Sequence, residues 1–524
     1  MENVRIVVFT SDLSYDVRRR IVAIDDSIPN LTWLVVVHAQ AKSLETSPHL
    51  SLYDKAGGAR FFPLCMRLFT HSSGVVDPTV PGYRYSFAAL QAQNNVCIVE
   101  VPDIHEQKTI NIVHGFSADL GLCLSAPILN KALFSLPRLG TLNLHEGKLP
   151  DFRGGPPAFW ELWNDVDEIG CTVHWVEEKV NGGDIVKETI IRRKAHSTLR
   201  GLQLTLHEAS VKLLISAVEA VLTGDAVAVP QATSGGGQYG IPTLAQQAKL
   251  KRKTDALQCI HQPWLKRTAK DIYFALRIGL QKITPNQCQH PKATVLIYHR
   301  VSDDIRDFLT VGIEQFDRQM EWLRHHCHVI SIERLIAEKT LSHQNKPVVC
   351  VTFDDGYLDN YENAVPVLLR HGIPAAFYVS TGIITNDGVF PHDILLNNQK
   401  QPLMTWGQLR EMHAERFSIG SHTVNHIDCA HEAEDVVRQE LADAITDLRR
   451  ELGLQEVILA YPYGGRQHMT AQRLELVKQA GYRGCLSAYG GVNVAKVDPY
   501  NILRTGGHYE FSDMAFRYVC LGLQ

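Results

Sequence analysis

Asn143 and His145 stand two residues apart, and Asp184 follows Gly182-Gly183. Alternate side chains of a strand share a face, so Asn143 and His145 at a strand's end can enter one cleft. An amine attacking a formyl carbon gives a tetrahedral oxyanion, which Asn and His can hold as donors. A carboxylate can orient the imidazole and help take the amine's proton. By spacing alone, an Asn and a His near a strand end are more often structural than catalytic. A second group is Asp354-Asp355 with His422 and His426. Neighbouring carboxylates can divide their labour, one holding a cation and one free as a base. Two histidines four apart can share one face of a turn or helix and one metal. One carboxylate and two imidazoles leave a coordination position for water, which marks catalysis. A zincin protease needs Glu after its first His, and this chain has Thr423. A non-haem iron oxygenase uses the same ligand types and stays open on geometry, but gives Asp354 no role. Both reactions act on an amide nitrogen.

The positioning elements follow from the pattern around these residues. Ile6–Phe9, Leu34–Val37, Leu120–Leu124 and Gly140–Asn143 read as short buried strands alternating with helical segments. That alternation predicts a mostly parallel sheet covered by helices. Apolar spacing from Thr198 to Leu222 predicts a helix ending at Gly224. The second half alternates too, with strands at Thr294–His299, Val348–Val351 and Ala375–Val379. Between the halves, Ser234-Gly235-Gly236-Gly237 reads as a flexible break and not a phosphate loop, since no strand precedes it and no helix follows. Lys249-Leu250-Lys251-Arg252-Lys253 reads as a solvated basic stretch, or more sharply as a contact for a phosphate-bearing substrate or an acidic membrane surface. A helical stretch is expected near Trp264–Leu280. His325-His326-Cys327-His328 imitates a metal cluster but ends an amphipathic segment, where imidazoles suit a helix C-terminus.

The chain has 524 residues, 45% hydrophobic and 21% charged, with a net charge of -4. That length calls for two large domains and a connector. The charge gives no bulk electrostatic partner for nucleic acid. No apolar run spans a bilayer, and the N-terminus has no signal-peptide core. The 11 cysteines form no C-x-x-C pair and read as reduced thiols. A cytoplasmic protein is expected.

Gly140–Gly154, together with Gly170–Val176 leading into Gly183–Val186, resembles the signature of formyltransferases that use N10-formyltetrahydrofolate. The resemblance implies an α/β, Rossmann-like domain over residues 1–226 with Asn143, His145 and Asp184 as its catalytic trio. It also places the folate pocket on the loop Ser125–Leu129, with Ala126, Ile128 and Leu129 as cofactor contacts. Residues 40–95 match poorly, and acceptor contacts there are not assigned. Arg153–Trp160 looks closest to the amino-sugar N-formyltransferases, beside the transfer-RNA and glycinamide-ribotide branches. Thr352–Gly356, Ser421–His426 and Tyr461–Gly464 resemble three motifs of the polysaccharide deacetylases (carbohydrate esterase family four, NodB-type). This second resemblance implies a distorted (β/α) barrel over residues 291–524, with its site at the strands' C-terminal ends, and leaves 227–290 as connector. By position, Asp354 is the general base, and Asp355, His422 and His426 hold a divalent metal, zinc. The backbone N–H of Tyr463, after Pro462, holds the oxyanion. His508 is the candidate acid for the leaving amine. The family often carries an Arg where this chain has Ala460, so the partner of Asp354 must come from elsewhere, with Arg504 the candidate.

Together the two resemblances imply a bifunctional enzyme: metal-dependent N-deacetylation of an amino sugar, then N-formylation of the exposed amine. The alternatives are a formyl group added and later removed, a small amine or amino acid as substrate, or one half serving as a binding module. The expected substrate is nucleotide- or lipid-linked, and a homo-oligomer is compatible with the sequence.

Overall fold

The computed structural model describes residues 3–38, 79–194, 197–231, 236–258, 271–279, 292–305, 307–338, 346–397, 399–494, 496–506 and 512–523. The chain divides into two compact units, Met1–Pro78 with Tyr83–Leu257, and Thr79–Gly82 with Gln258–Gln524.

The first unit is built on strands β1 (Val4–Thr10), β2 (Leu31–His38), β3 (Val96–Val101), β4 (Leu120–Cys123), β5 (Thr141–His145), β6 (Phe152–Gly154), β7 (Glu168–Trp175), β8 (Ile185–Arg192) and β9 (Gly237–Tyr239). Seven form one sheet in the order β3-β2-β1-β4-β5-β7-β8. Strands β1 to β5 run parallel, and β7 and β8 return antiparallel. β1 and β2 are near-continuous apolar runs, as parallel strands buried on both faces must be. Strand order reverses at β1 beside β4, the place where open α/β sheets leave a crevice at their C-terminal ends. The helix Leu199–Thr223 has the expected ends: the Thr198 side chain accepts from the Gly201 N–H, and Gly224 closes it in the left-handed conformation.

The expected flexible break is partly structured. Gly237 opens β9, which pairs in parallel with β6, while residues 234 and 235 lie outside the described residues. A Cβ on Gly236 would come within 2.0 Å of the Pro150 carbonyl oxygen, so only glycine lets the chain pass there. Residues 244–258 form a helix. Lys249 sits over the Trp163 ring, Lys253 lies 3.5 Å from Asp165, and Leu250 is buried. Those two lysines are thus engaged by the first unit's own side chains. Of the helix expected near Trp264–Leu280, residues 271–279 are described and are helical.

The second unit is built on β10 (Lys292–Tyr298), β11 (Arg300–Val301), β12 (Thr310–Val311), β13 (His328–Val329), β14 (Val348–Phe353), β15 (Ala375–Val379), β16 (Ser418–Ser421), β17 (Ile458–Ala460), β18 (Gly484–Leu486), β19 (Asn493–Val494) and β20 (Arg504–Gly506). Its curled sheet runs β18-β17-β16-β15-β14-β10-β19, with β13 on β14 and β20 on β10. Every pairing except β10 with β19 is parallel. This is the distorted barrel that the sequence implied. The C-terminal ends of β10, β14, β16 and β17 converge on one site, as in barrels generally.

His325 and His326 end the helix Ile313–His326. The His326 ring stacks on Trp322, and these histidines belong to no ligand cluster among the described residues. All eight cysteines among the described residues are unpaired. No helix of the described residues is long and apolar enough to cross a membrane.

Candidate active sites

A cleft of about 370 Å³ opens at the C-terminal ends of β4 and β5. Asn143 and His145 line it, and so do Ala126, Ile128 and Leu129 from the loop after β4. Ile128 is 71% exposed. Asp184 is half-buried and is not among the lining residues. Its carbonyl accepts from the Trp175 N–H at 3.0 Å, which fixes its backbone to the end of β7. The preceding turn is possible because a Cβ on Gly183 would stand 2.0 Å from the Trp175 oxygen. Gln231 clamps this turn from outside, donating to the carbonyls of Asn181 and Gly183 at 3.0 and 2.7 Å.

The hydrogen bonds around Asn143 and His145 set their polarity. His174, opposite Asn143 across β5 and β7, has Nδ1 2.8 Å from the Trp175 carbonyl, so Nδ1 carries the proton. Burial pushes His174 down to about 4, so near neutral pH its Nε2 is a bare acceptor. Asn143 Nδ2 donates to that atom at 3.0 Å and to Asn181 Oδ1 at 3.3 Å. Both amide protons are spent, and the Asn143 oxygen remains. Likewise, His145 Nε2 donates to the Phe152 carbonyl at 2.7 Å, and burial lowers its pKa. Its Nδ1 lone pair remains. The donors expected to face the cleft are committed to the protein, and two acceptors are left over. Sequence reasoning gave His174 no role, although it stands in the run Gly170–Val176. It also missed Arg20, a buried cleft residue paired with Glu146, which in turn accepts from His207 Nδ1 at 2.7 Å.

In the second unit, Asp355, His422 and His426 bring one ligand atom each within 4.8 Å of one another. Asp355 is 1% exposed, yet neither of its oxygens has a hydrogen-bond partner among the described residues. His422 Nε2 and His426 Nε2 stand 3.5 and 3.6 Å from its Oδ1. A buried carboxylate left without donors is costly, and a cation between it and two imidazoles removes that cost. The donor set fits a divalent metal of the zinc type. Burial opposes charge on Asp355, but the imidazoles of His392, His299 and His426 outweigh it and hold its pKa far below the usual range. Burial pushes His426 down to about 3, the neutral form that a ligand needs. His422 is oriented by Nδ1–H donating to the Ala460 carbonyl at 2.7 Å, which leaves Nε2 for the metal.

The two histidines share a loop after β16, not a helix. Glu440 shapes that loop, accepting from the Val424 and Asn425 backbone N–H groups at 2.9 Å each. Asp355, Thr423, His426 and Tyr463 all have positive φ, backbone strain concentrated at one site.

Asp354, 3% exposed, accepts from Arg504 Nη1 at 2.7 Å and Nη2 at 2.8 Å. Arg504 thus fills the position left vacant by Ala460. Burial raises the Asp354 pKa, and the guanidinium outweighs it and holds it below the usual carboxylate range. Tyr463 follows the buried Pro462 just beyond β17, and among the described residues its backbone N–H meets no acceptor. Its ring is 51% exposed and lies 5.0 Å from that of His426. His508 lies outside the described residues. Two histidines here were not foreseen. His299 directly follows β10, a position that sequence could have flagged. His392 has Nε2 3.4 Å from Asp355 Oδ2 and 2.8 Å from the Tyr357 hydroxyl, in a segment without any motif. Tyr357 also donates to Asp393, which pairs with the fully buried Arg300.

Both units have matches among known protein families. The family described as Formyl transferase matches residues 89–218, and that described as Polysaccharide deacetylase matches residues 342–485. The chain therefore combines a formyltransferase-family domain with a polysaccharide deacetylase-family domain. It is similar to the methionyl-tRNA formyltransferase of Methylacidiphilum infernorum, 29% identical over 178 residues, 33% of this chain and 55% of that protein. It is also similar to YxkH of Bacillus subtilis, which bears the polysaccharide deacetylase family name, 29% identical over 195 residues, 37% of this chain and 63% of that one. The chain thus spans little more than half of these curated relatives' lengths. Among solved structures, the Streptococcus pyogenes deacetylase PplD in complex with acetate aligns over 45% of this chain and all of that one, at 22% identity and a TM-score of 0.38.

Proposed function

We propose that the protein removes the acetyl group of an N-acetylated amino sugar and then formylates the exposed amine from N10-formyltetrahydrofolate. The observation that carries this reading is the buried Asp355 carboxylate, unsatisfied between two imidazoles and beside an Asp354 held anionic by Arg504. A divalent cation, zinc by donor type, would supply Lewis acidity there. Asp354 takes the proton of the attacking water, and the Tyr463 N–H supports the oxyanion. The C–N bond breaks, acetate leaves, and the nitrogen gains a proton, for which His508 is the proposed donor. In the other cleft, Ile128 and Leu129 hold the folate. Asn143 Oδ1 accepts a hydrogen bond from the amine, His145 Nδ1 takes its proton with Asp184 in support, and as the nitrogen bonds to the formyl carbon the C–N10 bond breaks and N10 leaves with that proton. One site's product is the other's nucleophile, and their covalent link raises its effective concentration. Residues 1–226 and 291–524 would carry the two activities, in a cytoplasmic protein acting on a nucleotide- or lipid-linked sugar.

The test is mass spectrometry of N-acetylated nucleotide sugars incubated with the full chain, zinc and formylfolate. A product lighter by one CH₂ supports the exchange. Free amine without formylation, or no reaction across a panel of sugars, refutes it.

A further inference from the structure

Among the described residues, one other cluster has metal-ligating geometry: Asp428, His431 and His468, whose ligand atoms lie within 4.8 Å of one another. It repeats the composition of the deacetylase centre, one carboxylate and two imidazoles. His431 Nδ1 is 2.7 Å from Asp428 Oδ2, and His468 Nδ1 is 2.8 Å from Asp428 Oδ1. Both imidazoles therefore aim the same nitrogen at one carboxylate, and a cation at the point of convergence replaces the two shared protons.

The three residues come from two loops, each fixed by its own backbone. Asp428 Oδ1 accepts from the Ala430 N–H, its carbonyl accepts from the His431 N–H, and the His468 N–H donates to the Gly465 carbonyl. The Tyr463 ring stacks on His468 with centroids 5.6 Å apart and stands 5.0 Å from His426. A single tyrosine thus separates this cluster from the deacetylase ligands. His431 is 77% exposed in its side chain, so one side of the cluster faces solvent and leaves coordination positions open.

We propose that Asp428, His431 and His468 form a second divalent-cation site beside the deacetylase centre. Mixed imidazole and carboxylate donors select a borderline ion such as zinc or nickel over magnesium or calcium. Being shallower than the Asp355 centre, it fills at higher free metal. The site is defined by its own residues and does not depend on the identity of the sugar or the order of the two reactions.

The experiment is a zinc titration of the chelator-stripped full chain, with a pulse of diethyl pyrocarbonate at each concentration and modification read at individual histidines by peptide mass spectrometry. His422 and His426 should be protected first. His431 and His468 should then be protected together in a second saturable step. In His468→Ala that second step should vanish at His431 while His422 and His426 keep theirs, which also shows that the variant is folded. The exposed His431→Ala should abolish it at His468. His431 modified equally at every zinc concentration would overturn the site, as would a second step that survives in both variants.

Discussion

Replacing Arg504 with glutamine should slow the second unit's chemistry and weaken that unit alone. Arg504 is fully buried, and Asp354 is 3% exposed. The guanidinium makes both bonds to Asp354, donates through Nε to the Ser487 carbonyl at 2.7 Å and reaches Thr352 Oγ1 at 3.2 Å. Removing one partner of such a buried pair costs about 3–5 kcal/mol, because the remaining charge has neither partner nor water. An exposed pair would lose only about 0–1 kcal/mol. Against a domain stability of roughly 5–15 kcal/mol, this loss is large.

The variant can relieve the penalty by protonating Asp354, since burial, which raises its pKa, is then opposed only by His422 and His299. In the native protein that pKa lies below the usual range. The pair's stabilisation is therefore complete above the unfolded carboxylate's pKa of about 3.9 and disappears as pH falls through the lower folded value. In Arg504→Gln the acid limb of the deacetylation rate should move upward, and each unit of movement corresponds to about 1.4 kcal/mol. A chain of two units does not unfold in one step. Hydrogen exchange by mass spectrometry should therefore be read separately on peptides from β14 and β16 and from β1 and β7. Protection should fall only in the first pair. Adding Asp354→Asn to Arg504→Gln should restore much of it by removing the stranded charge, while abolishing the activity that remained. An unchanged acid limb with native protection in Arg504→Gln would refute this account of the pair.

Four further outcomes follow from the same geometry. Asp355→Ala should lose metal binding and hydrolysis and keep formyl transfer; loss of both activities would mean that the sites are not independent. Saturating zinc, at about 100 times its dissociation constant, should stabilise the second unit of the native chain by about 2.7 kcal/mol, read as protection of β14 and β16, and Asp355→Ala should gain none of it. His145→Ala should slow single-turnover formyl transfer by a factor on the order of 10², and His174→Leu should lower its rate by about tenfold or more with little change in donor affinity, because the freed Asn143 amide can turn; an unaltered rate in either variant removes that residue from the reaction.

Much of this was legible in the sequence because it depends on local chemistry. Apolar runs marked the parallel strands, and Thr198 and Gly224 marked the ends of a helix. Asp354-Asp355 and the two spaced histidines fall where a parallel sheet presents its C-terminal ends. Long-range pairing was less visible. Arg504 could be named as a candidate for Asp354 only because a motif position was empty, and its register beside β10 is a property of the closed sheet. His392 arrives on a segment with no signature. His174 was in view, but its part depends on pairing with Asn143 across two strands and on burial, neither of which residue order records.

On the proposed reading, the polarity of the first unit's cleft would link the two reactions chemically. Hydrolysis of an amide yields an amine that gains a proton in neutral water, and a protonated amine cannot attack. A cleft that offered only donors would leave that proton in place. Here burial keeps His174 neutral, His174 turns the Asn143 amide, and the Phe152 carbonyl fixes the His145 tautomer. The atoms left facing the cleft are an oxygen and a nitrogen lone pair. They suit an ammonium ion that must surrender a proton, and burial lowers the His145 pKa enough to keep that lone pair available near neutral pH. On this argument the pair acts on the incoming nitrogen, and support for the developing oxyanion must come from other donors in the cleft.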